Sequence, residues 1–135
     1  MTNELKTYED LEAYKAARAF RVFISQHITP VLLDAKEFDL LNQLKRSSRS
    51  VTANIAEGYG RFHFLDTAKF CSNARGSLCE TLDHINVAID DLIIDEKLYQ
   101  QARTEYETTI KLLNGYIKFL YKSANKPKSP APQSC

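Results

Sequence analysis

This sequence has little cysteine, proline or glycine, and it has no tryptophan. It holds 3 cysteines, 4 prolines and 4 glycines among 135 residues. A disulfide-rich scaffold, a collagen-like chain and a low-complexity chain are therefore excluded. The sequence also lacks an excess of either charge, because 18 lysines and arginines face 17 aspartates and glutamates, for a formal net charge of +1. Nothing in the net charge demands a polyanionic partner.

Long apolar runs are missing as well. No uninterrupted run approaches the roughly 18 residues that a membrane helix needs, and residues 1–4 do not resemble the basic start of a signal peptide. Cys71 and Cys79 lie on one predicted helix, where a spacing of eight residues separates their backbones by about 12 Å, beyond disulfide reach. We therefore expect a cytoplasmic protein with reduced thiols and no membrane partner, in which Cys71 is buried and inert.

The sequence does contain apolar residues spaced three and four apart, which predict amphipathic helices at about 8–28, 37–57, 64–92 and 96–123. The most regular seam is in the third helix: Ala68, Cys71, Arg75, Leu78, Leu82, Ile85, Ile89 and Leu92. Short connections between the helices predict an all-α, antiparallel up-down-up-down four-helix bundle over residues 1–123. The proline-, serine- and lysine-rich residues 124–135 are predicted to be a disordered tail, which carries Cys135.

Helix ends are predicted from proline and glycine. Pro30 is expected to end the first helix, and Gly58 to close the second in a left-handed conformation, with Gly60 as a second permissive position. In the fourth helix the apolar stripe includes Leu98, Ala102, Thr109, Leu112, Tyr116 and either Phe119 or Leu120. Asp95 and Glu96 are placed to stabilise the positive N-terminus of that helix.

Two runs carry a family resemblance, RSSRSVTANIAEGYGR at residues 46–61 and AKFCSNARGSLCETLDHINVA at residues 68–88. Together they resemble the paired signature of the four-helix-bundle proteins encoded in intervening sequences of bacterial 23S ribosomal RNA genes, over roughly residues 8–122. The resemblance implies a homopentameric ring without enzymatic activity. A more distant similarity, to the accessory protein of diversity-generating retroelements, implies RNA or DNA and a reverse transcriptase or another protein as partners.

Positive charge is concentrated locally although the net charge is near zero. Residues 42–75 hold six basic and two acidic side chains, whereas residues 80–107 hold two basic and eight acidic ones. A one-sided basic surface is the minimum requirement for binding phosphates. One hypothesis is therefore nucleic-acid contact through Lys45, Arg46, Arg49 and Arg61, with Arg46 and Arg49 on the outer face of the second helix. The alternative is that these side chains form an ordinary solvated helix face.

Arg75 interrupts the apolar seam and has two interpretations. It either lies at the edge of the stripe and pairs with a carboxylate such as Glu57 or Glu80, or it lines a subunit interface or the pore of a ring. Tyr59, in the AEGYGR corner, is likewise a candidate interface residue. A third interpretation makes Glu57 and Glu80 a general acid and base.

No catalytic, metal or cofactor site is predicted. His27, His63 and His84 are scattered without metal-ligand spacing, and neither a Gly-x-Ser-x-Gly elbow nor a phosphate loop occurs. Our first hypothesis is a non-enzymatic, homo-oligomeric, pentameric scaffold or adaptor that contacts RNA or DNA and has no small-molecule substrate. The alternative is a protein-binding accessory module for a polymerase or reverse transcriptase, without direct nucleic-acid contact.

Overall fold

A computed structural model describes residues 7–125, so residues 126–135 of the predicted tail lie outside the described residues. The described chain is helical throughout, without a strand: a 3₁₀ turn Tyr8–Asp10, α1 Glu12–Phe23, a π-helical turn Ile24–Ile28, α2 Thr29–Asp34, α3 Phe38–Tyr59, α4 Phe64–Asp90 and α5 Glu96–Ala124. The first arm of the bundle is α1, the π-helical turn and α2 together. The prediction of an all-α four-helix bundle is confirmed.

Contacts between neighbouring helices run in opposite senses along the chain. Between α3 and α4 they join Arg46 to Glu80, Ser50 to Ser77 and Gly58 to Phe70. Between α4 and α5 they join Arg75 to Asn114 and Asn86 to Tyr99. The Thr109 hydroxyl of α5 donates to the Ala16 carbonyl oxygen of α1, and Phe20 meets Tyr106. Each of these three helix pairs is therefore antiparallel.

The prediction that Pro30 ends the first helix is wrong, because the chain stays helical to Asp34. A π-helical turn precedes the proline, and in it the Thr29 N–H donates to the Ile24 carbonyl oxygen. The Thr29 hydroxyl donates to the Ser25 carbonyl oxygen at 3.1 Å. Pro30 stands in the first turn of α2, where a missing N–H removes no regular helical bond. The wider turn thus carries the helix past the proline.

The apolar seams form the core, with two corrections. Phe20, Ile24, Leu44, Ile55, Leu78, Ile85, Leu113 and Ile117 are among its buried members. Leu92 does not belong to the seam: α4 ends at Asp90, and the Leu92 side chain is 87% exposed. In α5 the buried residues include Leu113 and Leu120, whereas their neighbours Leu112 and Phe119 are exposed. The spacing thus located the stripe, but the side chains at its edges lie outside the core.

Small hydroxyl side chains line the contact between α3 and α4. The hydroxyls of Ser50 and Ser77 lie 2.8 Å apart, and that of Thr81 lies 2.9 Å from the Ser47 hydroxyl. Arg21 of α1 donates to the Thr52 hydroxyl at 2.7 Å. Because the buried and half-buried hydroxyls between α3 and α4 bond one another, the two helices can approach closely without unpaired polar groups. The serines of the second predicted helix therefore have a packing role.

The C-terminal end of α4 and the N-terminal end of α5 lie at the same pole of the bundle. Leu92 adopts a left-handed conformation, φ 61°, and its N–H donates to the Ile89 carbonyl oxygen, while the Ile93 N–H donates to that of Ala88. This pattern is a Schellman motif with leucine at the position that glycine usually takes. The Asp95 carboxylate caps α5 by accepting the Leu98 N–H at 2.8 Å. Across residues 7–125, no helix combines the length and hydropathy needed to span a bilayer.

Candidate functional site

The corner between α3 and α4 brings two helices unusually close. A Cβ added at Gly58 would lie 2.8 Å from the Phe70 Cβ and 3.1 Å from the Thr67 carbonyl oxygen. Gly58 is buried inside the last turn of α3, and no glycine of the described chain has a positive φ. The predicted left-handed cap is therefore wrong, and Gly60, with φ −73°, needs no special freedom either. The glycine at position 58 serves close packing instead.

Arg61 and Glu57 hold the corner together. The Arg61 Nη2 lies 2.9 Å from the Glu57 Oε2, and the guanidinium stands over the Phe70 ring at 4.6 Å. Both side chains of the ion pair are about half exposed, so the pair contributes at most about 1 kcal/mol to stability. Arg61, predicted to contact nucleic acid, and Glu57, predicted to lie at an interface, are therefore ion-paired with each other within one chain.

A cavity of about 470 Å³ lies along α1, but the cavity at the corner is the more aromatic one. It measures about 380 Å³, and we call it the corner pocket. Its lining comes from the end of α3, the connection, the start of α4 and the last part of α5: Tyr59, Arg61, Phe62, His63, Phe64, Thr67, Tyr116, Phe119 and Leu120. Phe62 is 72% exposed and Phe119 is 55% exposed. Large aromatic faces are therefore presented to solvent beside a cavity.

Two tyrosine hydroxyls are available in the corner pocket. Burial, followed by the nearby Cys71 thiol and Tyr59 phenol, raises the pKa of Tyr116 to about 12. The Tyr116 hydroxyl therefore stays protonated at neutral pH and can donate a hydrogen bond. Within residues 7–125, neither Tyr59 nor Tyr116 uses its hydroxyl in a hydrogen bond. The pocket thus combines apolar walls with unused polar groups.

The predicted basic face of α3 is exposed but partly compensated. Lys45, Arg46 and Arg49 are all on the surface. The Arg46 Nη2 lies 3.3 Å from the Glu80 Oε2, and the same carboxylate oxygen lies 3.1 Å from the His84 Nε2. Lys45 and Arg49 have no carboxylate partner in the described chain. The structure does not bring Arg61 to this face, because Arg61 lies beyond the far end of α3.

Arg75 has a neutral partner rather than a carboxylate. Its Nη1 donates to the Asn114 Oδ1 of α5 at 2.9 Å, so the expectation that it pairs with Glu57 or Glu80 is wrong. Both glutamates are already bound by arginines nearer to them in the bundle. The Arg75 charge is left uncompensated, on the same α4–α5 surface as Lys118 and Lys122. Arg75 is half-buried, at the edge of the seam.

The structure separates Glu57 from Glu80. Glu80 bonds to Arg46, which precedes Glu57 by 11 residues on α3, or about 16 Å along the helix. Carboxylates that share an acid–base reaction on a small substrate stand much closer, roughly 5–10 Å apart. These two glutamates therefore form no catalytic pair.

The described cysteines have different surroundings. Burial raises the pKa of the Cys71 thiol to about 11, whereas Cys79 is exposed beside Tyr106. Cys71 is thus a buried thiol, as expected. Residues 7–125 contain no group of three histidine, cysteine or acidic side chains that could hold a metal ion.

The sequence reasoning missed the aromatic residues of the corner pocket other than Tyr59. The helical period places Tyr116 and either Phe119 or Leu120 in the core stripe, and it does not single out Phe62 or Phe64. The available signal was the density of aromatic residues in YGRFHF at 59–64, because rings that follow a helix end are not needed for its apolar face. Their meeting with α5 depends on tertiary packing, so spacing alone does not reveal it.

Comparisons with known proteins agree with the signature runs. The family model described as 23S rRNA-intervening sequence protein matches residues 9–115. The chain is similar to a crystal structure, at 1.70 Å resolution, of a protein with unknown function from the S23 ribosomal protein family of Bacteroides thetaiotaomicron. The identity is 25% and the TM-score 0.73, and the match covers 78% of this chain and 98% of that one. No curated protein matches the chain.

Proposed function

This chain belongs to the 23S rRNA-intervening sequence protein family, and we propose that it acts as a non-enzymatic scaffold assembled from several copies of itself. The observation that carries the proposal is a pair of exposed glycines in the middle of two long helices. Gly76 of α4 and Gly115 of α5 are exposed, and a Cβ added at either would meet nothing within 4 Å. Nothing within residues 7–125 requires glycine at these positions.

Both glycines weaken the helices that contain them. Glycine inside a helix costs about 0.5–1 kcal/mol relative to alanine. The hydrogen bond from Arg75 to Asn114 places Gly76 and Gly115 at the same level of the bundle. A neighbouring subunit that packs on this surface can bring its backbone close to α4 and α5 because side chains are missing there. We propose that repeated contacts of this kind close a ring, and that the ring is a pentamer.

Mass measurement tests the assembly. We expect light scattering on the intact protein to give a multiple of the 15.4 kDa chain, and Gly76→Leu and Gly115→Leu to lower that mass by blocking close approach. Ala53→Leu is the matched control, since Ala53 is exposed on α3, which carries neither glycine. A single-chain particle at the highest soluble concentration would disprove the assembly, and an unchanged oligomeric mass in both glycine variants would exclude this surface as the contact between subunits.

Nucleic acid is the second part of the proposal. The exposed cations Lys45 and Arg49 have no carboxylate partner among the described residues, and a ring would repeat them in every subunit, so weak phosphate contacts would add up. We expect RNA binding at about 50 mM salt that weakens steeply as salt rises. The double variant Arg46→Glu with Arg49→Glu should abolish it, and unchanged affinity would exclude this face.

A protein partner is the second candidate function, and Leu92 favours it. This leucine is 87% exposed and has φ 61°, a combination that costs free energy in the isolated chain. The exposed Leu33 belongs to the same pole of the bundle. An assembly that binds no RNA, yet binds a polymerase or reverse transcriptase and loses it in Leu92→Asp, would support this candidate.

A further inference from the structure

We infer that the corner pocket binds an unstacked base of a single-stranded nucleic acid. The inference rests on the nucleic-acid part of the proposed function. It places a second nucleic-acid contact in the corner pocket, apart from the basic face of α3. The corner pocket has about 380 Å³ of space, which lies in the range of small-molecule sites, roughly 300–1,000 Å³. Its walls are aromatic, and base–aromatic stacking is the usual way in which proteins hold single strands.

The exposed rings are the first argument. Phe62 and Phe119 leave 72% and 55% of their surface in contact with water, although neither residue is needed to fill the core. Tyr116 and Phe119 lie nearly parallel, with an angle of 13° between the rings and 6.2 Å between the centroids. A base that entered the pocket would cover apolar surface that the folded chain leaves exposed to water, so stacking there would stabilise the complex.

The charge along α5 is the second argument. From residue 108 to the end of α5 the chain carries three lysines, Lys111, Lys118 and Lys122, and no acid. At the rim, the carboxylate of Glu57 is occupied by Arg61. Lys118 and Lys122 line the cavity on the α4–α5 surface rather than the corner pocket, so they can meet the phosphates of a strand that leaves the pocket along α5.

The unused hydroxyls are the third argument. Tyr59 and Tyr116 can each donate to an acceptor on the edge of a base, since neither hydroxyl bonds within the described chain. A base inside a duplex presents its faces to its neighbours and cannot enter a pocket, whereas a base in a loop or at an end can. The expected ligand is therefore a single-stranded segment of RNA or DNA.

Binding of a dye-labelled single-stranded RNA to the full-length protein tests the inference, with a duplex of the same sequence as reference. Phe62→Ala should weaken single-strand binding by about 5- to 100-fold, the effect of losing one stacked base. Phe38→Ala is the matched control, because Phe38 is 54% exposed at the opposite end of α3. Its affinity should stay within about twofold of the original. A 2-aminopurine base in the strand should lose fluorescence on binding to the original protein and keep it with Phe62→Ala.

The outcomes separate this inference from the proposed function. Equal losses in Phe62→Ala and Phe38→Ala, or equal affinity for the duplex, overturn the base pocket while nucleic-acid binding stands. The absence of any RNA binding at about 50 mM salt removes both. A change of particle mass in Phe62→Ala without RNA assigns the corner pocket to a second copy and overturns the inference. Stacking lost in Phe62→Ala alone supports it.

Discussion

Replacing Gly58 by alanine tests whether the α3–α4 corner is as closely packed as the structure indicates. The new Cβ would stand 2.8 Å from the Phe70 Cβ and 3.1 Å from the Thr67 carbonyl oxygen. Both atoms are fixed to the α4 backbone, so neither can swing away, and the helices must separate slightly. Overpacking of this kind costs about 1–3 kcal/mol, while alanine returns about 1 kcal/mol of helix propensity. We expect a net loss of about 0–2 kcal/mol in the free energy of unfolding, against a gain for alanine at an open helical position.

Urea unfolding followed by far-ultraviolet circular dichroism measures this loss, and Gly60→Ala is the control two residues away. A Cβ at Gly60 would lie 3.5 Å from the Glu57 carbonyl oxygen, an ordinary contact, and φ there is −73°. That variant should gain about 0.4–1 kcal/mol through the lower entropy of its unfolded chain. If Gly58→Ala were as stable as Gly60→Ala, the reasoning that glycine sets the helix approach at this corner would be refuted.

Three further predictions concern stability. Leu92→Gly should raise the melting temperature through a gain of about 1 kcal/mol, because it relieves a left-handed leucine that buries little; a lower melting temperature would mean that the side chain makes a stabilising contact. Thr81→Val should cost about 0.5–1.5 kcal/mol in urea unfolding because it removes the hydrogen bond between the Thr81 and Ser47 hydroxyls, although Ser47 keeps its bond to the Leu44 carbonyl oxygen; an additive double variant with Ser47→Ala would contradict the coupling. Folding raises the pKa of Cys71 from 9.0 to about 11 and that of Tyr116 from 10.0 to about 12. In these pH ranges the folded chain keeps protons that the unfolded chain releases, so the free energy of unfolding should fall as the pH rises above 9 for Cys71 and above 10 for Tyr116. Tyr116→Phe should flatten this fall above pH 10, and an unchanged slope would contradict it.

The positions of the helices were largely predictable, because a helix that packs on one side has apolar residues spaced three and four apart in the sequence. The second predicted helix, 37–57, is observed as Phe38–Tyr59. The ends were harder, since Pro30 and Leu92 each break a local rule. A π-helical turn and the Thr29 hydroxyl accommodate the proline. At Leu92 the buried Ile94, which follows it, fixes the path of the chain, and the tertiary contacts outweigh the cost of a left-handed leucine.

The candidate site was less predictable than the fold because its parts come from distant positions. Arg75 illustrates the difficulty: its charge inside an apolar seam was visible, but its partner Asn114 is 39 residues away and neutral. Tyr116 follows the helical period and either Phe119 or Leu120 continues it, but only Leu120 is buried and Phe119 is exposed. Periodicity tells which side of a helix is apolar, but it does not tell where that apolar side extends past its neighbours.

The fold itself accounts for much of the first signature run, and this narrows where function must be sought. Its serines bond α4 or the backbone of α3, Arg46 is paired with Glu80, and Gly58 allows close packing. A mutation in these serines or in Gly58 would alter the bundle before it altered a partner, whereas the Arg46–Glu80 pair is largely exposed and contributes little to stability. Phe62, Gly76 and Gly115 are different, because the described chain gains nothing from an exposed ring or from glycine there. Residues that the fold does not need are the ones whose replacement can separate assembly and ligand binding from stability.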